Sequence, residues 1–246
     1  MTLQAYHEFL KAKAAVATAE GIAIDPGAVH PLLKDHQRAI VEWAVRGGRR
    51  AIFAAFGLGK TFMQIETLRL VLAQEGGRGL IVAPLGVRQE FMRDAEKLGV
   101  PLRFIRRIDE ADEKGLYITN YETVREGKLD PRLFQATSLD EASCLRGFGG
   151  TKTFREFMKL FAGDDREQGI RTEGVRYRFV ATATPSPNEF IELLAYAAYL
   201  GIMDVGEAKT RFFKRDSEKA DRLTLHPHKE VEFWLWVSSW AIFLQK

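Results

Sequence analysis

Short apolar runs alternate along this chain with stretches whose apolar residues recur every three or four positions. Arg50–Ala55 (RAIFAA) reads as a buried strand, and Thr61–Leu72 then places Phe62, Ile65, Leu68 and Leu72 at helical spacing. Glu75-Gly76-Gly77-Arg78-Gly79 breaks that helix before a second buried strand, Leu80–Ala83 (LIVA), and a second helix, Val87–Leu98. Leu102–Ile105, Leu116–Thr119, the moderately apolar Arg132–Leu139 and Tyr177–Ala181 (YRFVA) continue the strand series, and Lys152–Phe161 reads as helical. Strands that are apolar throughout and joined by helices predict an α/β domain, a mostly parallel sheet with helices on both faces.

Ahead of the first strand, Ile40, Val41, Ala44 and Val45 form the stripe of a helix over Leu33–Val45 that ends at Gly47-Gly48. Tyr6–Glu20 reads as an Ala-rich helix stopped by Gly21, and Asp25-Pro26-Gly27 as a turn. Residues 1–32 are therefore expected to be an accessory helix and turn, and 33–246 one folded lobe. Ala162–Arg176 is polar and reads as an exposed loop. Val231–Leu244 (VEFWLWVSSWAIFL) holds three of the four tryptophans. It is expected to be a helix buried on the lobe, with a stacking platform for bases as the alternative.

Composition narrows the setting. A single cysteine, Cys144, excludes an intramolecular disulfide and a cysteine-based zinc site, and His30 and His36 lack metal-ligand spacing. The N-terminus has no apolar core of the signal-peptide kind, and no run approaches the roughly 20 apolar residues of a membrane span. The expectation is a cytoplasmic protein without a membrane partner. A net charge of +3 permits a nucleic-acid partner.

The candidate chemistry sits where the first strand turns into the first long helix. Ala54-Ala55-Phe56-Gly57-Leu58-Gly59-Lys60-Thr61 fits the phosphate-binding pattern [AG]xxxxGK[ST] in its strand–loop–helix context. Gly57 and Gly59 allow backbone conformations in which successive N–H groups converge on phosphate oxygens at the positive end of the helix. Lys60 would reach the β- and γ-phosphates and Thr61 would hold Mg²⁺. Asp140-Glu141 closes a later strand 80 residues after Lys60, where it can meet the same nucleotide. Asp140 would serve the metal and Glu141 would deprotonate the attacking water.

With these residues in place, the chain resembles superfamily-two helicases and translocases. The resemblance is greatest to the Swi/Snf-like branch, which includes the DEAD/DEAH-type helicases of bacteriophages and prophages, and it covers nearly all of residues 33 to 246. Leu33 to Gln37 is similar to the adenine-reading segment, which assigns Gln37 to the base, and Ala54 to Thr61 to motif I. Leu80 to Pro84 resembles motif Ia, Ile118 to Glu122 motif Ib, and Asp140 to Ser143 a DEAH-type box with Ser in the last place. Thr182-Ala183-Thr184-Pro185, with Asn188, resembles the motif III that couples hydrolysis to movement, through Thr182 and Thr184. Phe56 departs from the small or polar residue common in relatives.

The resemblance implies a RecA-like lobe that uses ATP and Mg²⁺ to drive movement on nucleic acid. Strand contacts are implied at Pro84, Leu85, Arg88, Thr119, Asn120 and Tyr121. Arg125 and Arg146 are further basic candidates, as are Arg46, Arg49 and Arg50, each equally readable as solvated surface charge. The residues are equally compatible with DNA and RNA; the Swi/Snf-like resemblance implies double-stranded DNA. The family motor has two such lobes, the second carrying motifs IV to VI and an arginine finger. This chain is therefore expected to be a first lobe, an excised piece or a separate subunit, that binds ATP but hydrolyses it slowly until a second lobe joins in cis or in trans. Two other readings stay open: a restriction-type motor component, and an ATP- or DNA-binding subunit with little catalysis of its own.

Overall fold

The computed structural model describes residues 16–145, 152–165, 167–185, 190–215 and 223–245. Its centre is a seven-stranded sheet of β1 (Arg49–Ala54), β2 (Arg78–Ala83), β3 (Leu102–Phe104), β4 (Gly115–Asn120), β5 (Ala136–Asp140), β8 (Tyr177–Thr182) and β11 (Ala241–Leu244), and two small hairpins lie outside it, β6 (Asp164–Asp165) with β7 (Ile170–Arg171) and β9 (Phe213–Arg215) with β10 (Leu223–Leu225). The order is β11-β1-β8-β5-β2-β4-β3 and every pairing is parallel. Parallel pairing requires crossovers, and the helices that make them cover both faces.

Side-chain alternation along each strand divides the core into two layers. Ile52 and Ala54 of β1 and Ile81 and Ala83 of β2 pack under α1 (Asp35–Gly47), α2 (Lys60–Glu75) and α3 (Arg88–Lys97). Ala51, Phe53, Leu80 and Val82 face the opposite layer. That layer holds α5 (Lys152–Phe157), α6 (Leu193–Leu200), α7 (Val205–Phe212) and α8 (Glu230–Trp240), which follow the short α4 (Tyr121–Arg125). Burial on both sides explains why β1 and β2 read as unbroken apolar runs. Glu66 of α2, fully buried, pairs with Arg69 at 2.7 Å and accepts the His30 N–H at 2.7 Å, tying the segment before α1 to α2.

The structure departs from the sequence reading in several places. Residues 1–15 lie outside the described residues. Val16–Glu20 is not helical, and the N–H groups of Glu20, Gly21 and Ile22 bond the last carbonyls of α1. The turn expected at Asp25-Pro26-Gly27 is present, as a 3₁₀ turn over Pro26–Ala28 capped by the Asp25 carboxylate. β5 starts at Ala136, because Asp130 caps a 3₁₀ turn over Pro131–Leu133. The polar stretch from 162 contains a hairpin, β6 (Asp164–Asp165) with β7 (Ile170–Arg171), and Asp165 is buried. α6 (LLAYAAYL) is apolar on every side and every residue is buried, so it offers no stripe by which a helix could be recognised.

The chain's end also differs. α8 stops at Trp240, where the Ser238 and Ser239 hydroxyls donate back to the Leu235 and Trp236 carbonyls and loosen the last turn. Ala241–Leu244 then pairs with the free edge of β1, Ala51 opposite Ala241 through Ala54 opposite Leu244. Trp236 and Trp240 are fully buried, Trp236 stacked on Phe212 at 5.0 Å and Trp240 edge-on to Phe53 at 6.4 Å. They are core residues, not a platform for bases.

Candidate functional site

Because the strands run in parallel, their carboxyl ends collect at one edge of the sheet. β1, β5 and β8 deliver the Gly57–Gly59 loop, Asp140-Glu141 and Thr182 to the middle of that edge, and β2 and β4 deliver Pro84 and Asn120 beside them. Ligand sites of open α/β sheets lie outside these ends.

The loop is shaped by its glycines. Gly57 and Gly59 have φ of 81° and 77°, and a Cβ on Gly59 would stand 2.3 Å from Gln37 Nε2. A side chain at 59 would therefore be strained by conformation and would displace the Gln37 amide from the loop. Gln37 Nε2 donates to the Leu58 carbonyl at 3.0 Å while its Oε1 accepts the Lys34 N–H at 2.9 Å. The residue assigned to the base therefore braces the loop against the start of α1, and one N–H and one lone pair remain for a base edge. Lys60, first in α2, places Nζ 3.1 Å from the Ala54 carbonyl and 4.9 Å from the centre of the Phe56 ring. Phe56 itself is 68% exposed.

Next to this loop, burial pushes the Asp140 carboxyl up to about 6, with Glu141 and Glu90 adding to the rise and the Gln64 hydrogen bond and Lys60 opposing it. Glu141 has φ of 50°, a left-handed conformation that is strained for a residue other than glycine. Its carbonyl accepts the Ser143 N–H at 2.7 Å, and its Oε2 accepts the Thr182 hydroxyl at 3.1 Å. The Thr182 hydroxyl oxygen in turn accepts the Thr184 N–H at 3.2 Å, so the segment after β8 is linked to the acid after β5. Asn188 lies outside the described residues. The Thr61 hydroxyl lies 3.4 Å from Oε1 of Glu90, on the helix that begins at Arg88.

Thr61, Asp140 and Glu90 offer hard oxygen donors, the chemistry that suits Mg²⁺. Among the described residues no group of three or more His, Cys, Asp or Glu could hold a metal ion by itself.

The residues assigned to nucleic acid fare unevenly. Pro84 and Leu85 form the turn before α3, with Leu85 54% exposed, and Arg88 lies over the Phe104 ring at 4.1 Å. The Thr119 side chain is buried in the sheet, where only its neighbours reach it. Asn120 is nearly buried and caps α4, its Oδ1 accepting from the Thr123 N–H and hydroxyl. Tyr121 points inward: its hydroxyl donates to the Asp140 carbonyl at 2.5 Å and its ring stacks on Phe157 at 5.7 Å. Arg125 is exposed at the end of α4, and Arg146 lies outside the described residues. Arg49 and Arg50 begin β1, at the opposite edge. Arg49 pairs with Glu20, and Arg50 is buried against the Gly47, Arg49 and Thr18 carbonyls, so neither can join this surface. The sequence reading missed Gln64, one turn into α2, and Glu90, in the first turn of α3, where a polar residue carries no motif signal.

This parallel α/β sheet, with its loop between β1 and α2, is the RecA-like fold of helicase and translocase ATPase lobes. The chain is similar to the Sulfolobus solfataricus SWI2/SNF2 ATPase core in complex with dsDNA, with a TM-score of 0.66 at 17% identity over 90% of this chain. It is also similar to the UvsW helicase of bacteriophage T4, with a TM-score of 0.50 at 14% identity over 83% of this chain. It spans 46% of the length of the first and 66% of the second. At these identities the likeness is one of fold. No family model matches the chain, and no curated protein matches it by sequence. No helix among the described residues is long and apolar enough to cross a membrane.

Proposed function

We propose that the chain is the ATP-binding lobe of an ATP-dependent DNA helicase or translocase. The observation that carries this reading is the meeting of a glycine-turned loop, a helix N-terminus, Lys60, Thr61 and two adjacent acids at one carboxyl edge of a RecA-like sheet. Bound ATP–Mg²⁺ would supply the phosphoanhydride to be cleaved and the charge that neutralises it.

The backbone N–H groups from Gly57 to Thr61 bind phosphate oxygens. Lys60 exchanges the Ala54 carbonyl for phosphate, and the Thr61 hydroxyl and the Asp140 carboxylate hold the cation. The Glu141 carboxylate accepts the proton of the attacking water. Thr182 holds its Oε2, which leaves Oε1 to take the proton and gives the segment after β8 a direct report of what happens at Glu141.

Nucleic-acid backbone lies across Pro84, Leu85, Arg88 and the start of α4, and double-stranded DNA is the form that the resemblance to Swi/Snf-like motors favours. A second RecA-like lobe, in cis or in trans, closes over the nucleotide and provides the arginine that neutralises charge in the transition state, so turnover without it is slow. The exposed Phe56 and the 43% exposed Phe243, beside an open cleft of about 420 Å³ lined by Ala55, Thr184, Pro185 and Leu244, are the apolar surface such a lobe would cover.

Lys60→Ala tests the nucleotide assignment. Calorimetry with ATP and Mg²⁺ is expected to register binding to the parent chain and its loss in a folded variant; equal affinity would remove this loop from the site.

A further inference from the structure

The metal side of the candidate site has a buried support. Gln64 lies one turn beyond Lys60 on α2 and is 2% exposed. Its Nε2 donates to Asp140 Oδ1 at 2.8 Å, and its Oε1 accepts the Ser138 hydroxyl at 2.7 Å. Ser138 and Asp140 are two residues apart on β5, so both face α2. One glutamine therefore ties the helix that begins the phosphate loop to the strand that delivers the acid.

With Asp140 ionised, as a metal ligand must be, the three groups allow one arrangement. An ionised carboxylate only accepts, so the amide must turn its NH₂ towards Asp140. Ser138, by donating to Oε1, holds the amide that way round. Oδ1 is thus committed, and among the described residues Asp140 Oδ2 has no protein donor. The Thr61 hydroxyl, the other metal donor, lies against Glu90, so it gives Asp140 no orientation. Tyr121 fixes the Asp140 backbone carbonyl but not its carboxylate.

We propose that Gln64, backed by Ser138, is the positioning residue of the divalent-metal site, holding Oδ1 so that Oδ2 faces the cation or its water. The proposal rests on the ATP–Mg²⁺ reading above. A bridge with no such role would cost stability when cut and leave the metal dependence of binding untouched.

The test is ADP affinity, measured by calorimetry on the full chain in EDTA and across a series of Mg²⁺ concentrations. Gln64→Leu keeps the volume and removes the donor. Its half-point in Mg²⁺ is expected to rise about tenfold or more, the scale on which a partner that orients a metal ligand acts. Its ADP affinity in EDTA is expected to stay unchanged. Ser138→Ala is expected to move the half-point the same way by a smaller factor, and it carries the test should Gln64→Leu fail to fold. An unchanged Mg²⁺ half-point in the folded variant overturns the proposal, whatever happens to the melting temperature. A parent chain whose ADP binding ignores Mg²⁺ would overturn the ATP–Mg²⁺ reading instead.

Discussion

The two halves of the sheet's carboxyl edge are built in different ways. Around β1, β5 and β8 the polar groups are buried and hold one another: Ser138 to Gln64, Gln64 to Asp140, Thr182 to Glu141. Around β2, β4 and β3 the polar groups form no such chain among the described residues. Asn120 caps α4, the Thr119 hydroxyl is buried with no partner among the described residues, and Leu85 and Arg88 are exposed. A site that must stabilise charge at one fixed point needs preorganised groups. A surface that meets repeating backbone phosphate needs only exposed donors and cations at suitable spacing. Besides the β2–β5 strand pairing, two side-chain hydrogen bonds near this edge link the halves, Tyr121 to the Asp140 carbonyl and Thr61 to Glu90, and they offer a direct route by which one half can sense the other.

The sharpest way to break this contrast lies on the nucleotide side. In a motor assembled with a second RecA-like lobe, Glu141→Gln is expected to keep ATP binding and to lower turnover by roughly 10²-fold or more, the usual scale for a general base. Steady-state hydrolysis near the parent rate would take Glu141 out of that role.

Asp140 gives an effect of intermediate size, with a pH signature. Burial raises its carboxyl from an ordinary 3.8 to about 6, so folding favours the protonated form. Stability from this group is fully present below about pH 4 and is lost as the pH climbs through about 6. The rise corresponds to at most about 3 kcal/mol at neutral pH. In EDTA, Asp140→Asn is expected to melt above the parent at pH 7.5 and level with it near pH 4. With ADP and Mg²⁺ present the order is expected to reverse. Parallel melting curves at all pH values would contradict the burial of an ionised Asp140.

How much of each half could be read from the sequence follows from the same contrast. The loop was legible because glycines, Lys60 and Thr61 occur in a fixed pattern between an apolar strand and a helix. Asp140-Glu141 was legible only through the order of motifs, since Ala136–Leu139 is too mixed to announce a buried strand. Gln64 and Ser138 left no trace, because their meaning depends on two elements 74 residues apart packing together. Tyr121 was placed by its motif but not by its direction, which the Phe157 ring decides. β11 read as helix because Ala241–Leu244 is apolar in either conformation, and the unpaired edge of β1 settles the matter.

The smallest expected effect belongs to the other half. Arg88→Ala is expected to weaken binding of a duplex oligonucleotide a few-fold and to reduce the salt slope by about 1, with ADP affinity unchanged. Anisotropy titrations over a range of salt concentrations measure this. An unchanged slope would remove Arg88 from the phosphate contacts, and a lost ADP affinity would show that the two halves are not separable.

The most direct measurement is a crystal structure of the chain grown with ADP and Mg²⁺. The account expects phosphate oxygens against the N–H groups of Gly57 to Thr61, and Lys60 Nζ moved from the Ala54 carbonyl onto phosphate. It also expects a cation about 2.0–2.1 Å from the Thr61 hydroxyl, with Asp140 Oδ2 turned towards it. A nucleotide bound elsewhere, or a loop still closed on Ala54 beside a bound nucleotide, would contradict it.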